Sequence, residues 1–210
     1  MKKLIALLLV LVMVAAMAAG CGQKDANNDT TGASAETTEA VTGPESALEI
    51  LETVWAQYGE EEKFAIVGGD SAYHTAQMEA DANYMMPSAP GKFNLAEAEE
   101  LTYKMLVPEA EQAKISDAAT ATHMMNSNNF NCGVYRVAAA DAEGFIAAMK
   151  TAITGNQWMC GMPESLLIAT IADEYVLVAW GVNDAMGPFE TKLVSAYPAA
   201  ALVVDEAIAG

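Results

Sequence analysis

The chain has 210 residues and carries 28 aspartates and glutamates against 10 lysines and arginines. Its formal net charge is −18, and Arg136 is its single arginine. A chain this acidic repels phosphate backbones and anionic lipid head groups, which argues against nucleic-acid binding and against electrostatic docking on a membrane.

The N-terminus has the pattern of an export signal. Lys2-Lys3 precedes an uninterrupted apolar run over residues 4–19, which is shorter than the roughly 18 to 20 residues of a membrane-spanning helix. The closing Ala18-Ala19-Gly20-Cys21 resembles the lipobox of bacterial lipoproteins, in which the cysteine is acylated and becomes the mature N-terminus. We therefore predict a lipoprotein signal peptide over 1–20 and a lipid anchor at Cys21 that holds the protein on the outer face of the cell membrane.

The segment after this cysteine has the composition of a linker. Residues 22–43 contain one valine and no leucine, isoleucine, methionine or aromatic residue, so they cannot bury enough apolar surface to offset the entropy of ordering. We predict that 21–43 is a lipidated cysteine with a disordered tether. The remainder, 44–210, is the size of a single extracytoplasmic domain with its own core.

Four elements are predicted in the first half of this domain. A capping box at Ser46 and apolar residues at helical spacing predict a helix over 46–58. The apolar run 64–67 predicts a strand that ends at a glycine turn. Two further helices are predicted, one from about residue 93 to Val107 and one over 109–125.

The second half has clearer patterns. Residues 132–138 predict a strand, and Asp141 is expected to cap a helix over 142–153. The apolar runs 164–171 and 175–181 predict a hairpin that is covered on both faces.

The last residues complete the predicted order of elements. Gly187-Pro188 is expected to start a helix, and 200–210 fits either a strand or a helix. The predicted fold class is therefore α+β, with helices packed on a small antiparallel or mixed sheet and a β-α-β-β-α C-terminal half.

Two segments resemble blocks of the GDS-type serine esterases, namely Gly69-Asp70-Ser71 after a strand and Gly181-Val182-Asn183-Asp184. Such an enzyme needs a histidine that reaches the serine and is oriented by a carboxylate, usually from an Asp-x-x-His near the C-terminus. That motif is absent, and His74 follows Ser71 too closely for the required hydrogen bond. We therefore assign no catalytic residue, predict a non-enzyme without a cofactor, and keep an esterase as the third hypothesis.

The segment NQWMCGMP, 156–163, carries the soft donors Met159, Cys160 and Met162. Thioether and thiolate are the preferred ligands of Cu(I), and His123 could join them, so a copper-binding or redox protein is the alternative hypothesis. The opposing interpretation is that methionines fill irregular gaps in the core.

Two cysteines remain in the mature domain. In an exported protein Cys132 and Cys160 could form a disulfide, provided that their strands are neighbours in the sheet. The other interpretation is that both are buried free thiols.

Several motifs resemble a family of lipoproteins from clostridia-like Gram-positive bacteria. They are HMMNSNNF at 123–130, NQWMCGMP at 156–163, GGD at 68–70 and PGKF at 90–93. Members of that family are sometimes labelled bacteriocin transport accessory proteins, and the resemblance implies an envelope location and no assigned catalytic residue. Our leading hypothesis is a membrane-anchored, non-enzymatic binding or accessory domain whose partner is an unidentified envelope protein or small ligand.

Overall fold

Seven strands form one antiparallel sheet with helices on both of its faces, as a computed structural model shows for residues 43–209. The predicted α+β class is confirmed, although the sheet is larger than the small one that we expected. The signal peptide predicted over 1–20, the lipidated Cys21 and the tether as far as residue 42 lie outside the described residues. None of the helices that the structure describes is long and apolar enough to cross a membrane.

The elements have the following bounds. The helices are α1 (Ala47–Trp55), α2 (Ser71–Ala80), α3 (Ala98–Tyr103), α4 (Glu109–Gln112), α5 (Ala139–Thr154) and α6 (Asn183–Ala196). The strands are β1 (Ile66–Val67), β2 (Gly91–Lys92), β3 (Ile115–His123), β4 (Phe130–Val137), β5 (Ser165–Ile171), β6 (Tyr175–Gly181) and β7 (Ala201–Ala207). Their order across the sheet is β1-β3-β4-β6-β5-β7, and β2 pairs with β3 beside β1.

The strand β6 lies in the interior of the sheet, and every one of its residues is buried. Leu177 belongs to a core beneath α1 and α6, whereas Val178 belongs to a second core beneath α3 and α5. Because successive side chains of a strand point to opposite faces, this division shows that helices cover both sides. The expectation that the 164–181 hairpin is covered on both faces is confirmed.

The predicted helix over 109–125 is wrong. Only the short α4 is helical there, and 115–123 forms β3 between β1 and β4. Alanines gave this segment helical propensity, but ladder pairing with β4 on one side and with β1 and β2 on the other outweighs it.

Other predicted boundaries also shift. The helix α3 begins at Ala98 rather than near residue 93, because 91–92 pairs with β3. The helix α6 begins at Asn183, four residues before the expected start, and Pro188 lies inside it. Its first turn is held by the exit of β6 and by a hydrogen bond of 2.7 Å from the Asn183 N–H to the Glu164 carboxylate.

Two further differences concern caps and missed elements. Ala138, and not Asp141, is the N-cap of α5, so Asp141 lies in the first turn. The helix α2 was not predicted, and the Asp70 side chain caps it by accepting the Tyr73 N–H at 2.8 Å. The final segment, which fitted strand or helix, forms β7 at the sheet edge.

Replacing Leu177 by alanine tests the burial of β6 on the face beneath α1 and α6. Leu177 is fully buried at the centre of the sheet, so we expect Leu177→Ala to lower the free energy of unfolding by about 2–5 kcal/mol. The matched control is Leu202→Ala in β7, where the leucine is half-exposed and the loss is smaller. Urea unfolding followed by circular dichroism measures both, and equal losses would contradict the burial of β6.

Candidate ligand-binding cleft

A cleft of about 770 Å³ opens beside β1 and β2. Its walls come from two stretches of chain, 68–74 at the start of α2 and 87–94 around β2. The lining is mainly apolar, with alanine, proline, tyrosine and phenylalanine side chains. A volume of about 300–1,000 Å³ with this kind of lining is typical of small-molecule sites.

Two glycines cross where the walls of this cleft meet. A Cβ on Gly68 would lie 2.0 Å from the backbone nitrogen of Gly91, and a Cβ on Gly91 would lie 2.5 Å from the carbonyl carbon of Gly68. Only glycine permits two backbones to approach this closely. The GGD and PGKF motifs therefore meet in space, side by side along β3.

The turn from β1 into α2 depends on Gly69. Its φ of +81° lies in the left-handed region, which glycine adopts without steric cost. The Gly69 N–H donates to the Thr120 hydroxyl at 2.9 Å, and this hydroxyl lies in β3. The turn is thereby fixed to β3, the strand that pairs with both β1 and β2 beside the cleft.

One buried carboxylate links the two walls. Asp70 accepts the Tyr73 N–H at 2.8 Å as the cap of α2, and it also accepts the Asn94 N–H at 3.1 Å from the opposite stretch. Both bonds are to backbone donors, so they hold the spacing of the walls rather than the position of a side chain.

His74 is buried behind the same wall, and both of its ring nitrogens are engaged. Nε2 lies 2.7 Å from the Gly68 carbonyl oxygen, and Nδ1 lies 2.8 Å from the Tyr84 hydroxyl. A carbonyl can only accept, so Nε2 carries a proton and donates it, and in the neutral ring Nδ1 accepts from Tyr84. The imidazole therefore braces the glycine crossing.

A third brace comes from α3. The Glu100 carboxylate accepts the Ser71 N–H at 2.8 Å and the Lys104 ammonium at 3.0 Å, and Lys104 also donates to the Gly69 carbonyl at 3.2 Å. Burial alone would raise the pKa of Glu100, but the hydrogen bonds from Ser71 and Lys104 outweigh burial, so its pKa lies below the usual value.

The structure does not bring together the residues that the esterase hypothesis requires. Ser71 is exposed at the first position of α2, His74 bonds to Gly68 and Tyr84 rather than to it, and Asp70 serves as a cap. The second block, 181–184, lies at the end of β6, with β3 and β4 between it and β1. The two resembling segments therefore do not form one site.

The disulfide considered from the sequence is not formed, because Cys132 and Cys160 are both free thiols. Cys132 lies in β4, whose neighbours are β3 and β6, so the strand after Cys160 is not adjacent to it. Cys132 is fully buried in the core beneath α1, and burial raises the pKa of its thiol. Cys160 is exposed, so the interpretation of two buried thiols holds for one of them only.

The four residues of the copper hypothesis do not share one environment in the structure. Met159, Cys160 and Met162 are all exposed on the loop between α5 and β5. His123 differs, because its Nδ1 accepts the N–H groups of Met125 and Asn126 at 3.2 and 3.3 Å.

That arrangement fits His123 poorly to a metal. A ligating histidine usually donates from its second ring nitrogen, whereas here Nδ1 accepts and the proton lies on Nε2. Within residues 43–209, no group of three or more histidine, cysteine, aspartate or glutamate side chains could hold a metal ion.

Sequence reasoning missed the cleft as a unit. It singled out GGD and PGKF as separate features, and it did not recognise that they are neighbours. The available indication of an ordered wall was the group Pro87, Pro90 and Gly91. Proline and glycine close together mark a turn or loop with a restricted backbone. No protein-family model, curated protein or solved structure matches the chain.

Replacing Gly91 by alanine tests the glycine crossing. Because the new Cβ would meet the Gly68 backbone at 2.5 Å, we expect Gly91→Ala to destabilise the fold by about 1–3 kcal/mol or more. Gly144→Ala is the control, since Gly144 is exposed within α5 and its added Cβ would come no closer than 4.0 Å to the Lys114 Nζ, and there alanine stabilises by about 0.5–1 kcal/mol. Opposite signs in urea unfolding are expected, and two stabilised variants would remove the crossing as a constraint.

Proposed function

We propose that this protein is a membrane-anchored extracytoplasmic lipoprotein whose domain binds a ligand without catalysis, and that the ligand occupies the cleft between α2 and residues 87–94. The observation that carries the proposal is the cleft itself, with a volume of about 770 Å³ and mainly apolar walls. Apolar concave sites with a few polar groups are where proteins hold small molecules.

The bonding of the polar side chains around the cleft supports binding over chemistry. Asp70 caps a helix, His74 braces the glycine crossing, and Glu100 bonds Ser71 and Lys104. A general acid or base needs a free atom within hydrogen-bond reach of its substrate. The hydrogen bonds of these groups are made within the walls of the cleft. Because such walls are rigid, less conformational entropy is lost when a ligand binds.

The lining also indicates a class of ligand. Tyr73 is exposed on the α2 wall, and Pro87 and Pro90 lie opposite. Lys92 lies on the same lining with its Nζ 3.7 Å from Asp117, and its side chain is largely exposed. The Asp117 side chain is mostly buried, but 3.7 Å is longer than a hydrogen bond, so the exposed ammonium keeps its donors for a ligand. The cleft fits a small molecule with a flat apolar body and one anionic group.

Binding of 2-naphthoate, which has a planar apolar body and one carboxylate, tests this site. On the domain from residue 43 onward, we expect saturable binding in ligand-observed NMR, and Tyr73→Ala should weaken it about tenfold, equivalent to about 1.4 kcal/mol. Tyr103→Ala is the matched control, because Tyr103 is equally an exposed helix tyrosine but lies outside the cleft lining. Absence of saturable binding, or equal weakening by both variants, would refute the cleft as the site.

The lipid anchor is proposed from the sequence, since Cys21 lies outside the described residues. The lipobox-like Ala18-Ala19-Gly20-Cys21 and the resemblance of several motifs to clostridial lipoproteins support it. Two acyl chains on one cysteine would anchor the domain stably.

Substitution of Cys21 tests the anchor. In a Gram-positive host we expect the wild type to incorporate labelled palmitate and to sediment with membranes. Cys21→Ala should lose the label and the membrane association, whereas Cys160→Ala, which removes the exposed cysteine of the described domain, should keep both. A labelled Cys21→Ala variant would place the acyl group elsewhere and end this part of the proposal.

A further inference from the structure

Two loops at one end of the sheet carry a group of exposed sulfur atoms away from the cleft. The first loop, 124–129, joins β3 to β4, and the second, 155–164, joins α5 to β5. We call their sulfur-bearing residues the two-loop sulfur cluster. Its members are Met124, Met125, Met159, Cys160 and Met162.

The methionines of this cluster do not fill the core. Met105, Met149 and Met186 are buried as core methionines should be. In the cluster the exposed fractions are 43% for Met124, 83% for Met125, 79% for Met159 and 37% for Met162. Cys160 is exposed as well. Packing therefore does not explain Met125 and Met159, whereas Met124 and Met162 are partly covered.

Side-chain amides hold the two loops against each other. The Asn126 Nδ2 donates to the Cys160 carbonyl at 2.9 Å. The Asn128 Nδ2 donates to the carbonyls of Met159 and Gly161 at 2.7 and 2.8 Å. The two backbones are thus one asparagine side chain and one hydrogen bond apart, so the sulfur-bearing segments of both loops lie side by side.

The sheet register supports this proximity independently. Phe130 at the start of β4 and Ser165 at the start of β5 both pair with Gly181 of β6. The two loops therefore enter the sheet at the same end. Cys160 itself has a φ of +62°, an uncommon conformation for a residue other than glycine.

We propose that the two-loop sulfur cluster binds one soft monovalent metal ion, Cu(I) or Ag(I), through the Cys160 thiolate and the thioethers of Met159 and Met162. Met124 and Met125 on the facing loop complete or shield the coordination sphere. His123 is not a ligand, because its Nδ1 accepts two backbone N–H groups. This site is separate from the cleft and does not depend on the ligand proposed there.

The chemistry of the donors sets the selectivity. Thiolate and thioether sulfur prefer Cu(I), whereas zinc needs a closed set of cysteine, histidine or carboxylate ligands. The described residues hold no such set. Binding releases the Cys160 proton to solvent as the sulfur–metal bond forms, and no electron is transferred.

Competition with a chelator tests the site. The protein used is the full chain carrying Cys21→Ser, so that Cys132 and Cys160 are its only thiols, and it is purified in mild detergent. Cu(I) is supplied anaerobically as its bicinchoninate complex, whose colour is lost when the protein takes the ion. We expect transfer of one Cu(I) per chain and no retention of Zn(II) under the same conditions.

Variants distinguish this cluster from other sulfur. Cys160→Ser should lose the transfer, and a Met159→Leu, Met162→Leu double variant should lose or strongly weaken it. Met85→Leu is the matched control, because Met85 is 84% exposed but lies outside both loops, and it should bind like the parent chain. All of the substituted side chains lie on the surface, so urea midpoints should stay unchanged and confirm that loss of transfer is not unfolding.

Several results would overturn the proposal. They are no transfer to the parent chain, undiminished transfer to Cys160→Ser, equal loss in Met85→Leu, or retention of Zn(II) with the same stoichiometry. Transfer that depends on Cys132 instead would place the ion in the core and equally refute the two-loop site.

Discussion

The burial of β6 on both faces is the constraint on which the other features depend. A strand with no exposed residue needs a helical layer on each side, and the chain supplies α1 and α6 on one face and α3 and α5 on the other. The crossover through α5 places β6 between β4 and β5, so these two strands do not touch. That separation keeps Cys132 away from Cys160 and leaves the connecting loops at the sheet ends, where functional residues can vary.

The parts of the fold that the sequence revealed are those encoded by local patterns. The capping bond of α1 is present, with the Glu49 N–H 3.1 Å from the Ser46 hydroxyl, and the 165–181 hairpin forms as its apolar runs indicated. The strand β3 could not be recognised from the sequence because its alanines pack against α1, which is distant in the chain. Ala119 and Ala121 are small so that α1 can pack closely over them, and this reason lies some seventy residues away in the chain, as does the bond from the Ala47 N–H to Asp117.

The cleft was hidden for the same reason on a larger scale. Gly69-Asp70-Ser71 resembles a catalytic block, yet Asp70 is a helix cap whose second bond goes to Asn94. Nothing within either stretch records that the other stretch is its neighbour. The two-loop sulfur cluster is the opposite case, since the residues were visible in the sequence, but only coordinates could tell exposed thioethers from core filling.

The crossing of Gly68 and Gly91 also limits how this chain can change over generations. The backbone of each segment occupies the space that a side chain on the other glycine would need. A side chain at either position therefore requires both segments to move apart. A change at both positions must pass through a destabilised single variant, so the two positions are expected to change together or not at all. Substitutions that keep the fold should therefore be tolerated more readily among the wall side chains, because these can change while the glycine framework that shapes the opening stays fixed.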